Sequence, residues 1–470
     1  MLLQLFTSAG SRASAARRAP GPAELPLVGS AFSVKRDPLG FLGACRARHG
    51  RLFRFHLGPL PIHIVGDPDW IRVVLQEREE HFVKSWGYDK VRPVLGNGLL
   101  TSDGELWKRQ RRLILPTFHH QKVAGFAATM VEETEALVGE WAPRIDRGQP
   151  IDVAAEMMTL ALRIVGRTLF GTASISGSVA SDIQKDAAGI YRAMTVLVEG
   201  ANRRILSLGG GLFDRLPTRE NRAFEEARRY LDRLVFDLIA ARRRQGGTRD
   251  DLLAMLLEAR DEHGEPMPDA QVRDELITLL LAGHETTANA MAWTFLLLGR
   301  HPEAFGRLRE ELSTVLGPRA PTGADVPRLA YSAMVTQEAM RLYPPGWILA
   351  RTAAVDEDLA GYQVPAGSIV AVCPYLVHRD PAYWDSPERF DPLRFTKEAI
   401  SRRSKFAYLP FSAGPRACIG RGFAMMEMTL ILATIAQRLR LEPVASHPIA
   451  LAPEVTLRPK HGVLVRAHRL

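Results

Sequence analysis

The stretch FSAGPRACIG, residues 411–420, places one of the chain's three cysteines in a Gly/Pro loop directly ahead of a long apolar segment. A free cysteine in a turn is most often a small buried hydrophobe. Three features favour a thiolate here. Gly414 and Gly420 permit backbone turns that aim amide N–H groups at the sulfur. The segment from Gly422 to Leu439 predicts a helix starting just after Cys418, and the N-terminal end of a helix dipole stabilises an anion. Arg416 adds a fixed cation two residues away. One cysteine cannot complete a tetrahedral zinc site, and no Cys or His neighbour supplies the remainder. A single thiolate does suit an iron whose other ligands come from a macrocycle.

The pattern F-x-x-G-x-R-x-C-x-G resembles the signature that the cytochrome P-450 family carries around its haem-ligating cysteine. A chance match to its five fixed positions is on the order of 1 in 10,000. The resemblance implies haem b (iron protoporphyrin IX) with an axial thiolate from Cys418. It makes Glu285 and Thr286, in AGHETTA (282–288), the acid–alcohol pair beside the oxygen-binding face. Trp107 and Arg111, in GELWKRQRRLILP, match the family's W-x-x-x-R, which reaches the haem propionates. Arg351 and Arg416 are implied as the other propionate partners. Glu338 and Arg341, in QEAMRLYPP, sit at i, i+3 on a helix that must stop before the two prolines. That spacing alone means little, since Glu225/Arg228 has it on what reads as a solvated helix face. With SPERFDPLRF following, the resemblance makes Glu338, Arg341 and Arg389 a buried triad bracing the cysteine loop.

Chemistry supports the acid–alcohol assignment independently. Thr286 can bond back to the carbonyl of Ala282 and loosen the helix, while Gly283 removes a side chain from the groove. Glu285 can then relay a proton that Thr286 orients. A polar packing cluster is the competing explanation. His284 reads as a helix-face residue rather than a ligand.

The elements that position these residues are mostly helical. Apolar periodicity predicts helices at Trp107–Leu115, Gln121–Trp141, Ala154–Leu169, Arg219–Arg244, Asp269–Arg300, Pro302–Leu316, Tyr331–Leu342 and Gly422–Leu439. Residues 51–67 alternate apolar and polar around Gly58-Pro59 and predict a β-hairpin. Short strands are expected at Tyr362–Val364, Ser368–Val372 and Val463–Ala467. The fold class is therefore mainly α with a small β region, and the resemblance implies the cytochrome P-450 fold. Residues 1–24 read as a flexible, proline-rich leader and 25–470 as a single haem-binding domain. Arg12, Arg17 and Arg18, with no acid nearby, match a mitochondrial transit peptide only loosely.

From Ile277 to Leu298 the long helix is nearly all apolar, which raises a membrane span. His284, Glu285 and Asn289 lie at its middle, where a charge in lipid costs roughly 2.5–3.5 kcal/mol, so it reads as a buried spine. No integral membrane anchor is expected. The chain of 470 residues is 46% hydrophobic and 24% charged, with a net charge of +9. No zinc-finger spacing, Walker loop or basic coiled coil accompanies that charge, so no nucleic-acid partner is expected. Three dispersed cysteines point to a reducing compartment and a cytoplasmic location.

The resemblance implies a monooxygenase that inserts one atom of O2 into a C–H bond of a small hydrophobic substrate. No nucleotide-binding unit follows the haem domain, so electrons are expected from a separate ferredoxin or flavodoxin and its reductase. Lys108, Arg109, Arg112, Arg402, Arg403, Lys405 and Arg421 form the expected docking cations. Ala282, Trp347, Ile348, Leu349 and the loop between Trp86 and Leu100 are the candidate pocket lining. PLPIHIV lacks the Arg/Tyr carboxylate anchor of the family's bacterial fatty-acid hydroxylases, which favours an uncharged terpenoid-like molecule. A fatty-acid hydroxylase is the alternative within the family, and a non-catalytic haem-thiolate binding or sensing protein is the alternative of another class. SLGGGLF (207–213) is the expected lid loop.

Overall fold

The computed structural model describes residues 17–169, 187–205, 216–245 and 251–470. The expected lid loop, SLGGGLF, lies outside the described residues. The longer helices are α1 (Pro38–His49), α2 (Trp86–Leu95), α3 (Gly104–Ile114), α4 (Ala127–Asp146), α5 (Val153–Leu169), α6 (Ala187–Ile205) and α7 (Arg219–Gln245). They continue with α8 (Leu252–Glu258), α9 (Asp269–Arg300), α10 (Pro302–Leu316), α11 (Ala330–Leu342) and α12 (Arg421–Ala436).

Helix α9 is the spine. It runs 32 residues, 22 of them buried, packed among α5, α7, α11 and α12. Its end is set by chemistry: Pro302 disfavours helical geometry at His301, and the same proline opens α10 at its first position. Both helices have the bounds expected of them. No described helix is long and apolar enough to cross a membrane.

Among the described residues, thirteen short strands form four small sheets. The largest has the order β2-β3-β9-β6-β4, from β2 (Leu52–Leu57), β3 (Leu60–Val65), β4 (Phe82–Lys84), β6 (Leu349–Ala353) and β9 (Ile369–Val372). The β2–β3 hairpin turns at Gly58, whose φ of +59° suits a residue without Cβ. Its cross-strand pairs Phe53–Ile64 and Phe55–Ile62 bury one face. Two late strands, β11 (Leu451–Pro453) and β12 (Leu457–Pro459), form a separate hairpin that rests on α9.

Packing starts ahead of residue 25. Arg17 and Arg18 pair with Tyr362 and Gln363, Ala19 is buried, and Glu24 accepts from Ser30 at 3.0 Å. The expected helix Gln121–Trp141 is two pieces, His120–Gly125 and α4, and α4 runs through Pro143 to Asp146.

Candidate active site

The cysteine loop is a tight turn closed by two backbone bonds. The Cys418 amide donates to the Phe411 carbonyl at 2.9 Å, and Ala417 donates to Gly414 at 3.1 Å. Gly414 has φ +71°, and a Cβ there would fall 1.8 Å from the Leu75 carbonyl oxygen. Gly420 is different: its φ of −86° is open to any residue, and it caps the N-terminus of α12. The turn therefore depends on one glycine of the pair, while Gly420 contributes its N–H, directed at the sulfur.

The Cys418 thiol is accessible, yet protein surrounds it closely enough that burial pushes it up. The Gly420 N–H and the Arg111 and Arg421 charges pull the other way. Arg416 is not among these cations. Its guanidinium turns to the Asp103 carboxylate, lies 3.4 Å from Glu79 and sits 4.3 Å over the Trp107 ring.

Behind the loop, Glu338 and Arg341 are fully buried and 2.6 Å apart. Arg341 also donates to three backbone carbonyls, of Pro387 at 2.6 Å, His378 at 2.9 Å and Arg389 at 3.0 Å. The expected third member, Arg389, contributes only that carbonyl. Its side chain is 67% exposed and pairs with Asp391. Arg394 occupies the triad position instead, 3.4 Å from Glu338 and 9% exposed. The 3-10 turn Pro392–Phe395 folds Arg394 inward, while Arg341 draws the backbone at 389 in and leaves that side chain outside.

Trp107 and Arg111, one turn apart on α3, come together with Arg416, and Arg111 lies 5.7 Å over the indole. Arg351, on β6, is buried, and among the described residues its side chain bonds the adjacent Ala350 carbonyl and Tyr88. Lys84 and Tyr88 complete the group, with the ammonium 4.4 Å over the Tyr88 ring. Burial, reinforced by the Arg351 and Arg416 charges and opposed by Tyr88, pushes Lys84 down to about 8. Sequence reasoning missed both residues. A lysine on β4 two residues from α2 carries no motif, and only the β4–β6 pairing of Lys84 with Arg351 reveals it. Among the described residues, Arg111 and Arg351 have no carboxylate partner. An accessible thiol beside Arg111, with Arg351 and Arg416 gathered around Lys84, would fit a flat, dianionic macrocycle held by one sulfur.

On α9, Ala282 is exposed and Leu281, Gly283 and Thr286 are half-buried, a break in the buried middle of the helix. The Thr286 hydroxyl donates to the Ala282 carbonyl at 2.6 Å, the back-bond expected of it. Gly283 instead meets α5, where an added Cβ would lie 3.2 Å from Val165. Its place is in helix packing, not in opening the groove. Glu285 points to neither: it accepts from Thr456 at 2.5 Å, and burial pushes its carboxyl up. His284 is buried against Tyr191 and neither ring nitrogen has a partner among the described residues. Trp347, expected in the pocket, is buried in the core and donates to the Glu454 carbonyl at 2.8 Å.

Several of the expected docking cations are already neutralised. Lys108 pairs with Glu105, Arg109 with Asp261 and Arg112 with Glu262. Arg403 lies 3.7 Å over Trp384, and burial pushes it down to about 10. Arg402, Lys405 and Arg421 remain exposed with no acidic partner among the described residues.

The cytochrome P450 family profile matches residues 19–465. The chain belongs to the cytochrome P450 family. Cyclooctatin synthase from Streptomyces melanosporofaciens is 40% identical over 446 residues, covering 94% of each chain. Pentalenene oxygenase from Streptomyces avermitilis is 36% identical, covering 92% of this chain and 93% of the relative. Among solved structures, the heme domain of cytochrome P450DA is similar with a TM-score of 0.85 at 29% identity, covering 97% of this chain and 98% of that one. This cytochrome P450 is thus a monooxygenase with the expected helix-rich fold. Its cofactor is haem b with a cysteine thiolate ligand, and the P450 reaction uses O2 and a redox partner.

Proposed function

We propose that Cys418 is the haem ligand and that this P450 hydroxylates an uncharged, terpenoid-like substrate. The observation that carries the site assignment is the accessible Cys418 thiol beside Arg111, a cation without a carboxylate partner among the described residues. Bound haem supplies oxygen activation and insertion of one oxygen atom into a C–H bond. The chain's own residues do the rest. The Gly420 N–H, Arg111 and Arg421 stabilise the Cys418 thiolate. Trp107, Arg111, Arg351 and Arg416 hold the propionates, assisted by Lys84 and Tyr88. Thr286 orients a proton on the distal side, and Glu285 supplies it.

Ala282, Ile348 and Leu349 give the pocket an apolar wall. Both arginines of β2 and its approach are engaged elsewhere: Arg51 pairs with Asp380 and Asp67, and Arg54 donates to the Ala19 carbonyl. That removes Arg51 as an anchor for a fatty-acid carboxylate, and PLPIHIV supplies no Arg/Tyr pair. Relatives named for pentalenene and for cyclooctat-9-en-7-ol support the same choice. Electrons come from an acidic ferredoxin or flavodoxin docked on Arg402, Lys405 and Arg421. The three cysteines outside any disulfide suit the cytoplasm.

The reduced protein with carbon monoxide absorbs at the thiolate-specific wavelength, and Cys418→Ser abolishes that band. A Cys418→Ser protein that kept it would overturn the assignment. Terpenes, and not fatty acids, shift the resting haem spectrum; the opposite result would favour the fatty-acid reading. Arg402→Glu with Lys405→Glu slows reduction and flattens its salt dependence, whereas Arg109→Gln changes little.

A further inference from the structure

One stripe of α9 is bonded to the β11–β12 hairpin. Glu285, Asn289 and Trp293 recur every four residues, so they share a face of the helix. Glu285 accepts from the Thr456 hydroxyl at 2.5 Å, Asn289 donates to that hydroxyl at 3.0 Å, and Trp293 donates to the Leu457 carbonyl at 3.2 Å. The hairpin is held from its other side as well. Leu457 donates to the Pro345 carbonyl at 3.0 Å, and Trp347 donates to Glu454 at 2.8 Å.

The Asn289 Nδ2 donates to the Thr456 hydroxyl, so it fills an acceptor site there and leaves the threonine's single O–H for the Glu285 carboxylate. Glu285 has this one hydrogen bond among the described residues. Consecutive helix positions are about 100° apart, so a carboxyl held on the hairpin points away from the Thr286 face. Reaching that face requires breaking the Thr456 bond and rotating the side chain.

We infer that Thr456 is a positioning residue for the proton supply, holding Glu285 in a hairpin-facing rotamer from which delivery is a side-chain rotation. The inference rests on reading Glu285 as the acid of the pair. The charges facing Glu285 come from the hairpin: Arg458 favours its carboxylate and Glu454 opposes it. Arg458 is bound to Glu454 at 2.7 Å and to Glu199 of α6 at 3.5 Å. On its own helix the neighbouring His284 is turned to Tyr191. The hairpin thus sets both the direction and the charge environment of the acid.

Infrared titration of the haem-loaded enzyme tests this, with the Glu285 carboxyl band assigned by its loss in Glu285→Gln. Thr456→Val removes the donor that favours the carboxylate. Its titration midpoint moves up by about one pH unit and the band shifts as a hydrogen bond is lost. Thr456→Ser keeps both at the wild-type values. Asn289→Ala, which leaves the hydroxyl in place, gives a smaller shift in the same direction and serves if Thr456→Val does not fold. A Glu285 band that titrates alike in all these variants would overturn the inference. So would a shift in Thr456→Val that Thr456→Ser shares. Neither result touches the carbon monoxide band, so failure of the haem-thiolate assignment is told apart from failure of this one.

Discussion

Arg394 closes on Glu338 from a 3-10 turn 56 residues downstream, its Nε 3.4 Å from the carboxylate, while Arg389 turns to solvent. The two arginines of SPERFDPLRF therefore differ in consequence. Arg394→Ala leaves Glu338 with one cation in a buried setting and costs about 2–3 kcal/mol. Arg389→Ala changes stability by less than about 0.5 kcal/mol. Urea unfolding of the two variants side by side checks the ranking, and equal losses would reject it.

Haem capture should depend on pH through Lys84. Its folded value near 8 lies below the ordinary 10.5, so the haem-free protein loses this charge as pH rises through about 8. A propionate nearby favours the charged form, so binding takes up a proton there. Haem affinity accordingly falls as pH is raised from about 7.5 to 9.5, and Lys84→Met flattens that profile. Titration of haem into the apoprotein at several pH values measures it.

Glu275 fastens the loop Gly96–Leu99 to α9. It accepts from the Leu99 amide at 2.9 Å and from Gln271 at 2.9 Å, and Asp274 accepts from Asn97 at 2.7 Å. Burial pushes Glu275 up to about 7 from its ordinary 4.5. A raised carboxyl contributes stability that is complete below 4.5 and is lost as pH rises through about 7. Glu275→Gln keeps an acceptor for Leu99 and removes the titration. Its melting temperature should vary less than wild type between pH 5 and 8, with the wild-type change worth roughly 2–3 kcal/mol. Parallel melting curves would count against this role.

The two glycines of the cysteine loop should respond differently to alanine. Gly414→Ala meets the Leu75 carbonyl at 1.8 Å and a left-handed backbone, so the loop must move. At Gly420 the nearest atoms to a new Cβ are Phe118 at 3.8 Å and the Cys418 sulfur at 4.0 Å. Gly420→Ala keeps the thiolate–carbon monoxide band, and Gly414→Ala loses most of it.

Where the sequence was legible, one physical signal dominated. Helices α9 and α10 have their expected bounds because a run of buried residues meets a proline at a definite place. Helices α1, α2, α6 and α8 escaped notice. The α2 segment WGYDKVRPVL carries a glycine and an internal proline, and tertiary packing overrides both. Motif spacing singled out Cys418, Trp107, Arg111 and Thr286, all of which lie on regular elements or a tight turn. It picked Arg389 where Arg394 faces inward, because a local turn decides which of two nearby arginines points to Glu338. Lys84, Tyr88 and Thr456 were beyond its reach: each matters through a partner far away in the chain, and no local pattern encodes that meeting.

A guanidinium has five N–H donors, and Arg341 spends all of them: two on Glu338 and one each on the carbonyls of His378, Pro387 and Arg389. Lysine brings three donors on a single atom and cannot span those five acceptors. Position 341 therefore has no conservative replacement in the genetic code. A codon change that is mild elsewhere on this surface-rich arginine set would here strand buried carbonyls from two separate chain segments at once.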